Sequence, residues 1–176
     1  VIAGVVIVAV IAIVLIVVAA QSSEFRVKRS AALAASAPAL FAQVNDFRNW
    51  AKWSPFERLD PNMTKSYEGT TQGAGAIYRW SGNKKAGEGA VTITESRPYD
   101  LIRMELEFRK PFRAGNTVEF TFVPERERTV VTWDMIGRKN FVSKVMCMFV
   151  NMDKMVGRDF EDGLTKLGAV AQGSPR

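Results

Sequence analysis

Residues 101–109 read Leu-Ile-Arg-Met-Glu-Leu-Glu-Phe-Arg and alternate without a break from Ile102 onward. Ile102, Met104, Leu106 and Phe108 take one face; Arg103, Glu105, Glu107 and Arg109 take the other. Side chains of an extended chain point to opposite faces with a period of two, so this stretch predicts a strand with one dry and one wet face. Parallel sheets are covered on both faces and read as continuous apolar runs; one-sided alternation argues for an antiparallel sheet.

The same pattern continues outward in both directions. Thr117–Pro124 sets Val118, Phe120 and Phe122 inside, and Thr129–Ile136 sets Val131, Trp133 and Met135 on one face. On the other side lie Glu88–Ser96, Gly75–Ser81 and Thr64–Glu68, each bounded by Gly, Pro, Asn or Asp. A first strand, Phe25–Ala34, alternates Phe25, Val27 and Arg29 against Arg26, Lys28 and Ser30. Between it and the meander, Ala37-Pro38 opens a short helix, Pro38–Val44, with Pro in its favoured first turn. Asn45-Asp46 caps a second short helix holding Phe47, Trp50 and Trp53, which Ser54-Pro55 ends.

After Gly137 the period lengthens. Val142, Val145, Phe149, Met152, Val156, Phe160, Leu164 and Leu167 recur every three to four residues. They predict one amphipathic helix of about 28 residues, capped by Asn140, with its apolar stripe on the sheet. Gly157 falls mid-helix at a cost of about 1 kcal/mol against Ala, which suits a close approach or a needed space. Residues 171–176 read as a frayed tail.

The other end is different in kind. The first twenty residues carry no charge, no Pro and one Gly. A helix of that length spans roughly 30 Å, the thickness of a bilayer's hydrocarbon core. Residues 1–21 are therefore read as a transmembrane anchor and 22–170 as one domain. A secretory signal is the competing reading, with Val18-Ala19-Ala20 as its cleavage site, but its apolar stretch would be unusually long. The flank Arg26, Lys28 and Arg29 alone favours a cytoplasmic domain, and a basic flank before residue 1 would reverse that. The expectation is a single-pass protein of a bacterial inner membrane, held in the bilayer by residues 1–20.

Composition excludes several chemistries. The chain has no His, which removes Ser-His-Asp and Cys-His catalysis and most zinc and iron sites. Its single Cys147 lies in an apolar stretch and cannot form an internal disulfide. Gly73-Ala74-Gly75 runs into a strand, not a helix, so it is no phosphate loop. No cofactor or metal is expected. The net charge of +6 includes Arg109, Lys110 and Arg113 in one segment and Arg138 and Lys139 in another. Such a surface suits anionic headgroups better than nucleic acid, since it forms no dense stripe with a reading motif.

The element order and several of its words resemble the START-like helix-grip (SRPBCC) superfamily, in its polyketide cyclase/dehydrase and lipid-transport branch. The residues that carry this are F-R-V-K-R-S from Phe25, W-x-x-W-S-P-F-E-x-L-D-P from Trp50 to Pro61 and Y-x-W-S-G from Tyr78. With them go G-E-G-x-x-x-I-T-E-S from Gly87, N-x-x-E-F-T-F from Asn116, T-W at Thr132-Trp133 and N-M-D-K-M-V-G-x-D-F-E-x-G-L from Asn151. The resemblance spans about Phe25 to Val170 and carries no shared catalytic motif. It implies an α+β helix-grip fold, a seven-stranded antiparallel sheet wrapped around the long C-terminal helix with a cavity between them.

On that plan the inward residues Tyr78, Trp80, Met104, Phe108, Phe120, Phe122, Trp133, Phe149 and Met152 line the cavity. Trp50, Trp53 and Phe56 stand near its mouth. The expected ligand is a hydrophobic small molecule, lipid or isoprenoid-like. Among carboxylates, Glu95 shares parity with Val91 and Ile93 and is the candidate base for a cyclase or dehydrase, the enzyme alternative; the plainer reading, which is preferred, is a strand-end Glu that reaches water or pairs with a nearby Arg. Glu57 and Asp60 come next, Asp60 reading more simply as a turn cap. A ligand-free interaction module of a membrane complex is the third reading, with the aromatic interior as plain core.

Overall fold

The computed structural model describes residues 22–138 and 151–173, together with Val6, Ala12, 15–20 and Lys144, but not the side chain of Met152. Seven strands form one antiparallel sheet: β1 Glu24–Leu33, β2 Thr64–Gly69, β3 Ala76–Ser81, β4 Glu88–Arg97, β5 Leu101–Lys110, β6 Ala114–Glu125 and β7 Arg128–Arg138. Their order across the sheet is β1-β7-β6-β5-β4-β3-β2. A meander from β2 to β7 is thus closed by β1, which returns beside β7 with Val27 opposite Met135 and Arg29 opposite Trp133.

The alternation read from residues 101–109 is what the sheet obeys. Ile102, Met104, Phe120, Phe122, Val131 and Trp133 are buried on the inner face. The outer face carries ion pairs instead: Arg26 with Asp134, Arg103 with Glu119, Arg79 with Glu68. Strand β4 breaks register twice, between Glu88 and Gly89 and between Ile93 and Glu95. Bulges of this kind bend a strand and increase its twist, which helps one face become concave.

The connection after β1 is tighter than a pair of ordinary helices. Helix α1, Ala37–Asn45, begins at Ser36, whose hydroxyl accepts from the Ala39 N–H, and it buries Leu40, Phe41 and Val44. The single helix expected over Phe47–Trp53 is instead a 3₁₀ helix, Phe47–Lys52, followed by a second, Pro55–Arg58. The spacing accommodates this. Phe47, Trp50 and Trp53 are three apart, and three residues per turn stacks them along one edge. Asp46 caps the first turn by accepting from the Arg48 N–H at 2.9 Å. Pro55 starts the second turn and does not end the first.

The C-terminal helix α2 runs Met152–Gln172. Here the expected helix of about 28 residues from Asn140 is corrected. Asn151 has extended backbone, φ −79 and ψ 95, and its side chain accepts from the Lys154 N–H, so it is a helix start. Asn competes with helical hydrogen bonding in a helix interior and satisfies it at the N-terminus, so the chain begins a new helix there. Asn140 and Phe149 lie outside the described residues. At the other end α2 continues through Ala171, which is buried in the core, to Gln172.

Gly157 makes space for an arginine. A Cβ there would sit 2.0 Å from Arg29 Nη2. That guanidinium crosses α2, donating to Glu161 Oε1 at 2.7 Å and to the Asp153 carboxylate and carbonyl at 3.0 Å, which ties the helix to β1. Trp133 stacks on Phe160 at 4.0 Å and 7°, locking sheet to helix at the centre of the core. Among the described residues no helix is long and apolar enough to cross a membrane. Residues 15–20 are helical, and most of the expected anchor lies outside the described residues.

Candidate functional site: a cavity between sheet and helix

Between the concave face of the sheet, α2 and the second 3₁₀ turn lies a cavity of about 310 Å³. Binding pockets for small molecules fall between about 300 and 1,000 Å³ and are mostly apolar with a few placed polar groups. Five of the residues expected to line it do so, Tyr78, Trp80, Met104, Phe108 and Trp133, and Phe56, expected near the mouth, joins them. Trp50, expected at the mouth, is also on its wall.

Trp53, Phe120 and Phe122 are core residues and do not border the cavity. Trp53 is 0% exposed, with rings of Trp50, Phe120 and Trp133 within 6.0 Å of it and its indole N–H donating to the Gln43 carbonyl at 3.1 Å. It anchors the 3₁₀ turn to the sheet, where the sequence placed it at a mouth. Phe149 and the Met152 side chain are outside the described residues.

Glu95 follows the plainer reading, a strand carboxylate paired with arginine, and not the catalytic one. The bulge between Ile93 and Glu95 leaves Thr94 without a partner in the pairing, so the alternation slips by one residue. Glu95 lies opposite Arg103 on the outer face, where it pairs with Arg103 and with Arg97 at 3.4 Å. Parity counted from Val91 could not see the extra residue. We expect Glu95→Gln to leave ligand binding unchanged and to cost under about 1 kcal/mol in urea denaturation, as exposed ion pairs do. A large loss of binding would return Glu95 to the site.

The carboxylate at the cavity wall is Glu57. The second 3₁₀ turn holds it with its side chain 6% exposed. Tyr78 donates its hydroxyl to Oε1 at 2.6 Å, and Lys65 donates its ammonium to Oε2. Strand register explains the meeting: Lys65 and Tyr67 on β2 lie opposite Trp80 and Tyr78 on β3, and the Tyr67 ring stacks on Tyr78 at 5.4 Å. Burial, and then the hydrogen bond to Glu57, push the Tyr78 phenol well above its ordinary range, so it stays a protonated donor. Asp60 is a turn residue, accepting from the Asn62 N–H at 3.0 Å and the Asn83 N–H at 2.7 Å.

Sequence reasoning missed other wall residues. Phe25 was legible, since it shares the inward parity of Val27. Asp159 was legible too, three residues after Val156 on the helix face that borders the cavity. Burial, then the neighbouring Asp162, raises the Asp159 carboxyl, and no described residue bonds to it. Met63 and Lys85 come from loops, where no periodicity points anywhere. Ser54 Oγ, Asn116 Oδ1 and Trp133 Nε1, all on cavity-wall residues, are buried without a protein partner among the described residues. No group of three or more His, Cys, Asp or Glu among the described residues stands close enough to hold a metal ion.

A seven-stranded antiparallel sheet curled over a C-terminal helix, with a cavity between, is the helix-grip architecture. The family described as polyketide cyclase / dehydrase and lipid transport matches residues 24–172, and the chain belongs to it. Solved structures share the fold at low identity. A protein from Mesorhizobium loti aligns with TM-score 0.62 at 12% identity over 86% of this chain and 100% of its own. One from Chromobacterium violaceum gives 0.58 at 15% over 88% and 100%. The di-domain ARO/CYC StfQ of the steffimycin biosynthetic pathway gives 0.59 at 9%, covering 85% of this chain and 51% of that one. A search of curated proteins finds no match.

Proposed function

We propose that this domain binds a hydrophobic small molecule, lipid or isoprenoid-like, in the cavity between sheet and α2. We further propose that residues 1–20 tether it to a membrane, as a single-pass protein of a bacterial inner membrane. The observation that carries the binding reading is the cavity itself: about 310 Å³, walled by Phe56, Trp80, Met104, Leu106, Phe108 and Val118. Each CH₂ moved from water to such a wall contributes about 0.8 kcal/mol, so an apolar body needs few polar contacts to be held.

Two features support the membrane. Phe25 lines the cavity, so the apolar N-terminal run ends within a few residues of the site. Leu59 and Met155 border the cavity while 41% and 52% exposed, an apolar rim that suits a lipid surface. The cyclase or dehydrase alternative no longer has Glu95; Glu57 with Tyr78 is what favours it, and turnover of a polyketide-like substrate lost in Glu57→Gln would decide for it.

Native mass spectrometry of the full chain, released from detergent micelles, tests the binding reading. The expected result is an apolar molecule bound at one copy per chain and absent from Leu106→Trp, which fills the cavity from β5. A bare chain that also takes up no added lipid or polycyclic compound would overturn it.

A further inference from the structure

We propose that the ligand of this cavity carries a hydroxyl or amine group that donates a hydrogen bond to Glu57, so that the site takes an apolar alcohol or amine and discriminates against a free carboxylic acid. This rests on the reading of the cavity as a small-molecule site and specifies the chemistry of what fills it.

The argument is one of donor and acceptor inventory. Glu57 is a charged group set in a wall of Phe56, Trp80 and Met104, with its side chain 6% exposed. A charge so placed must be paired, and it is, by Lys65 and Tyr78. An ionised carboxylate offers about four acceptor positions, and these two donors occupy one on each oxygen. Tyr78 has spent its only proton on Glu57, so what its oxygen still offers is also an acceptor. Lys65 does not border the cavity. This corner therefore presents acceptors and no donor.

The charges around the rest of the wall point the same way. Asp159, on α2, adds a second carboxyl with no described partner. Lys85 is the cation that borders the cavity among the described residues, and it comes from a loop. An anionic ligand group inside would face Glu57 and Asp159 with Lys85 as the one cation among the described wall residues to offset them; the unpaired donors of the wall, the Trp133 indole N–H and the Ser54 hydroxyl, are neutral. A hydroxyl or ammonium finds the opposite situation: hydrogen bonds to a charged acceptor are the strong ones, and here water competes little. The apolar wall provides affinity, and Glu57 selects the functional group.

The test uses the full chain in phosphatidylcholine nanodiscs with ¹³C-methyl methionine, because the buried Met104 side chain lines the cavity and reports its occupancy. Three 12-carbon probes are titrated: dodecan-1-ol, 1-methoxydodecane and dodecanoate. Partition into the disc differs between probes but cancels when each ratio is compared between proteins. The ratio of ether to alcohol half-saturation is expected to fall about tenfold from wild type to Glu57→Met, the size of one hydrogen bond to a charged group. The ratio of dodecanoate to ether half-saturation is likewise expected to fall from wild type to Glu57→Met, because the variant lacks the carboxylate that repels an anion. Glu57→Gln, which keeps an acceptor and the side-chain shape, should retain part of the alcohol preference and guards against a folding defect in the Met variant. An ether-to-alcohol ratio unchanged by Glu57→Met, with all probes still moving the Met104 signal, would overturn the assignment and leave the cavity reading intact. No movement of that signal with any probe would overturn both.

Discussion

Trp53→Ala is expected to lower the stability of the chain by roughly 3–5 kcal/mol, the range for emptying a large aromatic site in a packed core. The indole has no exposed surface and is the hub of an aromatic cluster, 5.7 Å from Trp133 and 6.0 Å from Phe120. Truncation would also leave the Gln43 carbonyl without the hydrogen bond it accepts at 3.1 Å. The ring joins the first 3₁₀ turn to Phe120 and Trp133 of the sheet, so its loss leaves a large hole at that junction. Urea denaturation followed by far-ultraviolet circular dichroism measures the loss. A change below about 1 kcal/mol combined with weaker ligand binding would show that Trp53 is a mouth residue after all.

Gly89→Val is expected to be as damaging, for a steric reason. A Cβ at Gly89 would lie 2.3 Å from the Glu107 carbonyl oxygen and 2.5 Å from the Trp80 ring. The ring could rotate, but the carbonyl belongs to β5 and is held by the sheet. Strands β4 and β5 must then part at the bulge beside Gly89, and Trp80 is driven into the cavity it lines. Overpacking of this kind costs about 1–3 kcal/mol and more where backbone must move; roughly 3 kcal/mol is expected here, together with loss of ligand uptake. Wild-type melting and uptake in Gly89→Val would mean that the strands yield more easily than the geometry allows.

How far the fold was legible depends on what each segment's pattern reports. The seven strands were readable to within a few residues because each buries one face, and a period of two marks that face directly. Helix α1 was readable from Pro38 and the apolar spacing after it. The start of α2 was not, because Val142, Val145 and Phe149 continue the spacing of Val156 and Phe160 across Asn151. Periodicity is blind to a cap when the same stripe resumes beyond it. Phe47, Trp50 and Trp53 show a related ambiguity: spacing by three is compatible with both kinds of helix, and only the structure shows which one forms.

For the site, alternation found the wall and failed at the polar group. It put Tyr78, Trp80, Met104, Phe108 and Trp133 on the inner face, where they border the cavity, since inner-face parity is a local property. Parity alone would send Glu95 inside, because it cannot see that a single unpaired residue, Thr94, inverts everything after it. Glu57 stood in a loop word with no period to orient it.

The sequence by itself therefore determined the antiparallel sheet, its inner face and the family, because burial of one face is written into each strand and needs no knowledge of neighbours. Which inner residues border empty space and which are packed solid, and the meeting of Glu57 with Lys65 and Tyr78, were decided by the tertiary structure alone. Those depend on where a bulge bends β4, where a 3₁₀ turn ends and how closely α2 approaches the sheet. Each of these sums contacts between residues far apart in the chain, and no local pattern records them.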